Sequence, residues 1–469
     1  MKFRPALDSD FVPASLWNRA YRARVKETGG RNLAIALERS DGSVSVFRTA
    51  VLPHEGKNVA VNNRYVERLL KFLLWQKGGY RVTIGGDARI ADYLRSVYAP
   101  EGARAFDYHF MGERVYGRPM IIESASFDAA PVERETTAPL GRHLDGFRIG
   151  FDLGASDRKC AAVADGQVIF SDEAAWNPSA QADPQYHFDG IQDSLKRAAA
   201  HLPRVDAIGG SAAGVYVNNE VRVGSLYRAV PSDLFDSRVR RLFFELQAAW
   251  GGIPFEVVND GEVTALAGSM ALGDNAVLGI AMGSSLAAGF VTPHGAITTW
   301  LNELAFVPVD YREDAPADEW SGDRGVGVQY FSQQAVGRLL EPAEEPLPAQ
   351  LERVQKLMAS GDGRARQIYE TIGVWFGYTI AHYADFYDIR HLLVLGRVMS
   401  GEGGNLILQV AEKVLKEEFP EVAERIRFHI PDEQEKRHGQ AIAAASLASS
   451  AGGLCRRCSS NKEPPDALP

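Results

Sequence analysis

Two acidic residues stand where an apolar strand gives way to a turn or helix, the position from which a carboxylate reaches ligands in open α/β sheets. Asp260 lies in Val257-Val258-Asn259-Asp260-Gly261-Glu262, after a short strand over 255–258 and before a helix of good formers over 262–272. Asn-Asp-Gly is also ordinary turn chemistry, so the motif by itself leaves both readings open. Asp152 lies in Gly150-Phe151-Asp152-Leu153-Gly154-Ala155-Ser156, at the end of another strand. An acid followed by Gly and Ser in a hairpin turn presents backbone N–H groups and a hydroxyl to a phosphate. Asp152 would then hold a magnesium ion through water; a plain hairpin has the same composition. A second Gly and hydroxyl turn, Gly279-Ile280-Ala281-Met282-Gly283-Ser284-Ser285, joins strands over 277–282 and 287–291. A third loop, Leu395-Gly396-Arg397-Val398-Met399-Ser400, runs into Gly401-Glu402-Gly403-Gly404, which opens a helix and so offers an anion-attracting N-terminus.

The elements that must position these residues fall into blocks. Residues 1–146 read as one α+β unit: a hairpin over 33–37 and 44–51 about Ser40-Asp41-Gly42, and a helix over 64–75. A strand over 80–84, a helix over 90–97 and strands over 108–110 and 120–123 follow. A polar stretch, 131–142, separates this unit from the rest. From 147 onward, strands are expected at 147–153, 160–165, 167–172, 207–209 and 255–258. A second set covers 276–282 and 287–292, with later strands at 392–395 and 426–430 and a closing alanine-rich helix at 439–449.

At 469 residues the chain is too long for one typical core. Its net charge of −9 argues against a nucleic-acid partner as the main one. No run approaches the roughly 18 apolar residues that span a bilayer, and MKFRPALDSD lacks the apolar core of a signal peptide. Three cysteines cannot make a disulfide framework, so a reducing cytoplasm is the expected compartment. Cys455 and Cys458 form a CxxC without further ligands nearby, in a polar, proline-rich tail (451–469) expected to be disordered.

Taken in order, an acidic hairpin loop, an acid after a strand, a Gly-Ser-Ser hairpin and a Gly loop opening a helix resemble the actin-like ATPase and sugar kinase superfamily. Within it, the pattern is similar to the ROK family (repressors, uncharacterised proteins and sugar kinases) over about residues 147–450. RIGFDLGASDRKCAAV is similar to its first phosphate loop, VVNDGEVTALAG to its Asn-Asp catalytic segment and GIAMGSSLAAGFV to its second phosphate loop. IGGSAAGVYVNNEV resembles its sugar-side segment, with Ala213 replacing a proline before Gly214, and HGQAIAAASLA its closing helix. The resemblance implies a two-lobed, ribonuclease-H-like α/β fold. Its first lobe would be 147–270, completed by the helix at 439–450, and its second lobe 271–438, with the α+β unit appended in front. It implies an ATP- and magnesium-dependent kinase of a free sugar or polyol, usually a homodimer. Asp260 would be the general base, with Asn259, Gly214 and Glu303 on the sugar. Gly154, Ser156, Gly283, Ser284, Ser285 and Gly396 would lie around the phosphates, with Asp152 beside them.

Several positions depart from the family pattern. Its Glu is usually followed by Gly-His, whereas this chain has Glu303-Leu304-Ala305-Phe306, and the stretch matching its zinc loop, Ser321-Gly322-Asp323-Arg324-Gly325-Val326, has no cysteine. No zinc is therefore expected there, and the sugar pocket must differ from a glucokinase's. Ala287 and Ala288 replace glycines beside the second phosphate loop, where they would crowd a nucleotide, and Arg397 and Val398 replace glycines in the third. Residues 1–146 do not give the three-helix spacing of a winged helix-turn-helix. The alternative to a kinase is a non-catalytic sugar-binding or regulatory member of the same family.

Overall fold

The computed structural model describes residues 1–135, 140–340, 344–430 and 433–449; the cysteine pair and the expected tail lie outside these residues. The chain opens with a helix that the sequence reading left unassigned, α1 (Ala14–Thr28). A four-stranded sheet follows, of order β2-β1-β3-β4, from β1 (Arg31–Glu38), β2 (Val44–Val51), β3 (Arg81–Gly85) and β4 (Ile121–Ala125). The β1–β2 turn passes through Gly42 at φ 80°, the left-handed conformation that an Asp-Gly pair supplies. Between β2 and β3 runs α2 (Asn58–Lys77), whose C-terminal half buries Leu69 through Gln76 without interruption. A helix buried all round needs neighbours on every side. α2 finds them in its own sheet and in the far part of the chain, because one apolar core runs from Phe11 through Trp75 to Leu304, Trp375 and Ile426. The first 129 residues thus share the core of residues 278–426 instead of owning a separate one.

The expected strand over 108–110 is instead helical, part of a π-helical segment over Tyr108–Tyr116. Phe106 and Phe110, four residues apart, both stack on Trp75 at centroid distances of 6.3 and 4.7 Å. That is helical spacing, which a three-residue apolar run does not distinguish from a strand.

Beyond residue 146 stand two sheets of related design. The first has the order β11-β8-β5-β6-β7, from β5 (Phe147–Leu153), β6 (Asp157–Ala164), β7 (Gln167–Ala175), β8 (Ala207–Ala212) and β11 (Phe255–Asn259). β5, β8 and β11 are parallel, and β6 and β7 extend the sheet as an antiparallel meander. A small hairpin of β9 (Val215–Val217) and β10 (Glu220–Val223) stands outside it. The second sheet has the order β13-β12-β14-β15, from β12 (Val277–Met282), β13 (Leu286–Val291), β14 (His391–Leu395) and β15 (Arg427–His429). β12 again pairs antiparallel with the next strand and parallel with the later one.

Two helices tie the sheets together. The first, α3 (Asp260–Leu272), leaves β11 and packs on β12 and β13. The second, α4 (Glu433–Ala445), crosses the first sheet where Gly150 and Gly209 leave room: a Cβ at either would collide with the carbonyl oxygen of Ala441 or Ala444. This closing helix starts earlier than its alanine-rich part suggests, since charged residues form its first turns. Among the described residues no helix is long and apolar enough to cross a membrane.

Candidate functional site

Asp260 is the first residue of α3, and Asn259 is its N-cap. Asn259 Oδ1 accepts from Gly261 N–H at 2.7 Å, and its Nδ2 donates to the Gly214 carbonyl at 2.7 Å. The sequence-predicted Asn259 and Gly214 are therefore in contact, and both ends of the Asn259 amide are engaged in holding the loop after β8 to the helix start. A capping side chain of this kind satisfies one of the helix's free N–H groups. Gly261 belongs to α3 and not to a turn. A Cβ on it would strike the backbone of Ala288, and one on Gly289 would strike Gly261 in return. The helix that starts with Asp260 is thereby seated on β13 of the other sheet. Ala288, 3% exposed, lies at this crossing and not at the open tip of the hairpin, where Ser284 and Ser285 are exposed.

Asp152 lies at the end of β5, opposite Lys159 of β6 in the ladder. Ser211 at the end of β8 donates to its Oδ1 at 2.7 Å, and Lys159 Nζ stands 3.9 Å from its Oδ2 and 3.1 Å from Asp157. Gly154 N–H donates to the Asp157 carbonyl at 2.9 Å, closing the hairpin loop that leaves Ser156 exposed. Lys159 and Ser211 were not among the residues read from the sequence. Lys159 is recognisable only through the β5–β6 register, and Ser211 only through the parallel β5–β8 pairing that sets it opposite Asp152.

Glu303 follows Asn302, which adopts the left-handed conformation at φ 51°. Asn302 N–H donates to the Gln76 carbonyl at 2.9 Å and Glu303 N–H to the Trp75 carbonyl at 3.0 Å, both at the end of α2. The Asn302 side chain donates to Glu262, in the first turn of α3, and accepts from the Tyr387 hydroxyl at 2.8 Å. This buried chain links the helix bearing Asp260 to the loop bearing Glu303.

The electrostatics of the carboxylates differ in a useful way. Burial, with the charge of Asp152 adding to it, raises Asp260 to about 6. Burial, with the charge of Asp260 adding to it, raises Glu303 to about 8. These shifts leave Asp260 the more readily ionised of the two near neutral pH and favour the protonated form of Glu303. Environments that push two carboxyl groups apart in this manner divide acid and base roles between them. Glu262, which accepts from Asn302, is also raised to about 8 by burial.

Around the second hairpin loop, Gln333 N–H donates to the Gly283 carbonyl at 2.9 Å. Gly396, at φ 105°, lies so close to Met282 that no side chain would fit there. The third loop thus backs the second. Arg397 is exposed, and its carbonyl accepts from Gln355. Phe306 lies in an aromatic group, 4.5 Å from Trp75 and 5.1 Å from Trp320 between centroids. Asp323, in the stretch matched to the zinc loop, pairs with Lys71 and Arg104.

Hard carboxylate oxygens suit magnesium. Among the described residues, however, no three His, Cys, Asp or Glu side chains converge as ligands for a metal ion. Asp152 could therefore hold such an ion only together with water and a nucleotide's own phosphates. Two cavities lie away from the three acids. One, about 460 Å³, is bounded by Arg118, Asp236 and Arg240. The other, about 400 Å³, lies beside α3 at Leu393, Phe428 and Gln440.

No protein-family model and no curated protein matches this chain. Solved structures do. A ROK hexokinase from Thermus thermophilus is similar with a TM-score of 0.51 at 16% identity, over 64% of this chain and 97% of that one. A ROK family transcriptional regulator, a homolog of the E. coli MLC protein, is similar with a TM-score of 0.52 at 17% identity, over 77% of this chain and 88% of that one. At these identities the likeness concerns the fold alone. It is shared by an enzyme and a regulator, so fold alone does not choose between them.

Proposed function

We propose that this ROK-fold chain is an ATP-dependent kinase of a sugar or sugar-like polyol. The observation that carries the reading is a buried carboxyl, Asp260, at the start of α3, near enough to Asp152 and Glu303 for their charges to act on one another, since a protein that only senses a sugar needs no base there. Asp260 takes the proton of the acceptor hydroxyl as its oxygen attacks the γ-phosphorus of ATP, the bond from γ-phosphorus to the bridging oxygen breaks, and ADP leaves. Glu303 donates a hydrogen bond to the acceptor. Asn259 acts through Gly214, shaping the acceptor side without needing a free amide of its own. The loops at Gly154 and Ser156 and at Gly283, Ser284 and Ser285 carry N–H and hydroxyl donors for the phosphates, with Gly396 supporting the second of them. Magnesium held by Asp152 through water would neutralise phosphate charge; Lys159, already paired with Asp157, can yield that side of Asp152. The compartment proposed is the cytoplasm, and the assembly a homodimer.

The test is ADP release from ATP and magnesium across a panel of hexoses, amino sugars, N-acetylated sugars and inositols. Acceptor-dependent release supports the kinase. Silence across the panel, with a sugar still binding by calorimetry, would replace it by the regulatory reading.

The pH dependence has a definite sign. kcat/KM should fall below about pH 6, where Asp260 gains a proton, and above about pH 8, where Glu303 loses one. Glu303→Gln keeps a donor that does not ionise, so the alkaline limb should flatten while the acid limb stays. An unchanged alkaline limb would remove Glu303 from this role. Metal analysis of the purified protein should find no stoichiometric zinc; a full equivalent per chain would show that a structural zinc site is present despite the missing cysteines of the 303–326 stretch.

A further inference from the structure

We infer that the C-terminal end of α2 is the seat of the acceptor-binding loop, and that Lys71, Asp107 and Asp323 are positioning residues that hold Glu303 in place. This inference rests on the kinase reading above. Its basis is geometric. Lys71 is fully buried, its Nζ 2.6 Å from the equally buried Asp107 and in contact with Asp323. Asp107 Oδ1 also accepts from the Trp75 indole N–H at 2.7 Å, so the ion pair fixes the ring as well as the helix. Arg104 bridges Asp323 to Glu67, 2.6 Å away, on the same helix. One turn beyond Lys71, the carbonyls of Trp75 and Gln76 accept from Glu303 and Asn302, and the Trp75 ring packs on Phe306.

The loop bearing Glu303 is therefore gripped at two places by a single helix. The first is at 302–306, through backbone hydrogen bonds and ring packing. The second is at Asp323, where the chain returns, through charge. Buried charges with several partners are poor sources of net stability, but they fix geometry, because any displacement leaves an unpaired charge in an apolar surround. That is the property a binding carboxyl needs, since a donor moved out of hydrogen-bond reach of the acceptor no longer contributes to its affinity. The α+β unit in front of the two lobes is then part of the acceptor site's scaffold.

The experiment compares the full-length wild type with Lys71→Met/Asp107→Asn and with Lys71→Arg. The double variant removes the ammonium and the carboxylate together, so no unpaired charge replaces the pair. Lys71→Arg is the conservative control. Hydrogen exchange is read on peptides covering 302–303 and, as an internal reference, 277–282. Acceptor and ATP KM values are measured on the same samples. Exchange at 302–303 should speed at least about tenfold in the double variant, with 277–282 unchanged, because those two N–H groups depend on the seat. The acceptor KM should rise at least about tenfold while kcat and the ATP KM move less than about threefold, and Lys71→Arg should recover most of the loss.

Unchanged exchange at 302–303 would overturn the seat, whatever the activity. Faster exchange with an unchanged acceptor KM would overturn the positioning role. A double variant that loses protection at 277–282 as well would show a general stabilising pair and also overturn it. A wild type that binds and phosphorylates nothing would remove the kinase reading, and with it the acceptor role, while the exchange result still decides whether α2 seats the loop.

Discussion

Asp260→Asn is expected to lower kcat by about 10²–10⁴-fold, the usual contribution of a positioned general base, while calorimetric affinities for sugar and nucleotide stay within about threefold. The substitution is nearly isosteric. Asp260 Oδ1 accepts from the Gly261 N–H at 3.0 Å, and an asparagine oxygen can do the same. Asn259, the N-cap, is untouched, so α3 should begin where it does now. What is lost is the charge and the ability to take a proton. The acid limb of the pH profile should disappear with it, because that limb is assigned to Asp260, raised to about 6 by burial and by Asp152. Turnover that survives the substitution would place the base elsewhere. Loss of sugar binding together with turnover would instead show a contact made in the ground state, as expected for a sensor.

Gly261→Ala should have the next largest effect, through packing. A methyl group there meets the backbone of Ala288, which cannot swing aside as a side chain would. Overpacking of this sort destabilises by about 1–3 kcal/mol, partly offset by the roughly 1 kcal/mol that alanine gains over glycine within a helix. The functional consequence should exceed the change in stability. Relief of the clash moves the start of α3 away from β13, carrying Asp260 with it, and kcat should fall by about tenfold or more. Thermal unfolding and kcat measured on the same preparation check the pair of effects. A variant as active as the wild type would show that α3 does not need this close approach.

The sequence by itself determined the strands of the two sheets beyond residue 146 and the two acids at their ends, but not the small hairpin of β9 and β10, where helical segments were expected. The sheet strands carry a local signal: apolar runs of strand length, bounded by glycine and hydroxyl residues, read the same way before and after folding. Phe147–Leu153 agrees residue for residue, and the strand before Asp260 differs by one residue. The order of the loops along the chain was enough to suggest the fold. What the sequence did not reveal depends on pairings far apart in the chain. Lys159 and Ser211 matter because β-ladder registers bring them to Asp152, and no local pattern encodes a register between separate strands. Gly261 looked like turn chemistry because the backbone it must approach, at Ala288, belongs to another sheet. Residues 1–146 read as a separate unit because their own hairpin and helices are locally complete. Only tertiary structure decided that α2 completes the core of residues 278–426, since its all-round apolar surface says that it must be covered but not by what. The same holds for Glu303. It could be picked out from a motif, but the upward shift of its carboxyl could not, because that shift comes from burial and from Asp260, more than forty residues away in the chain.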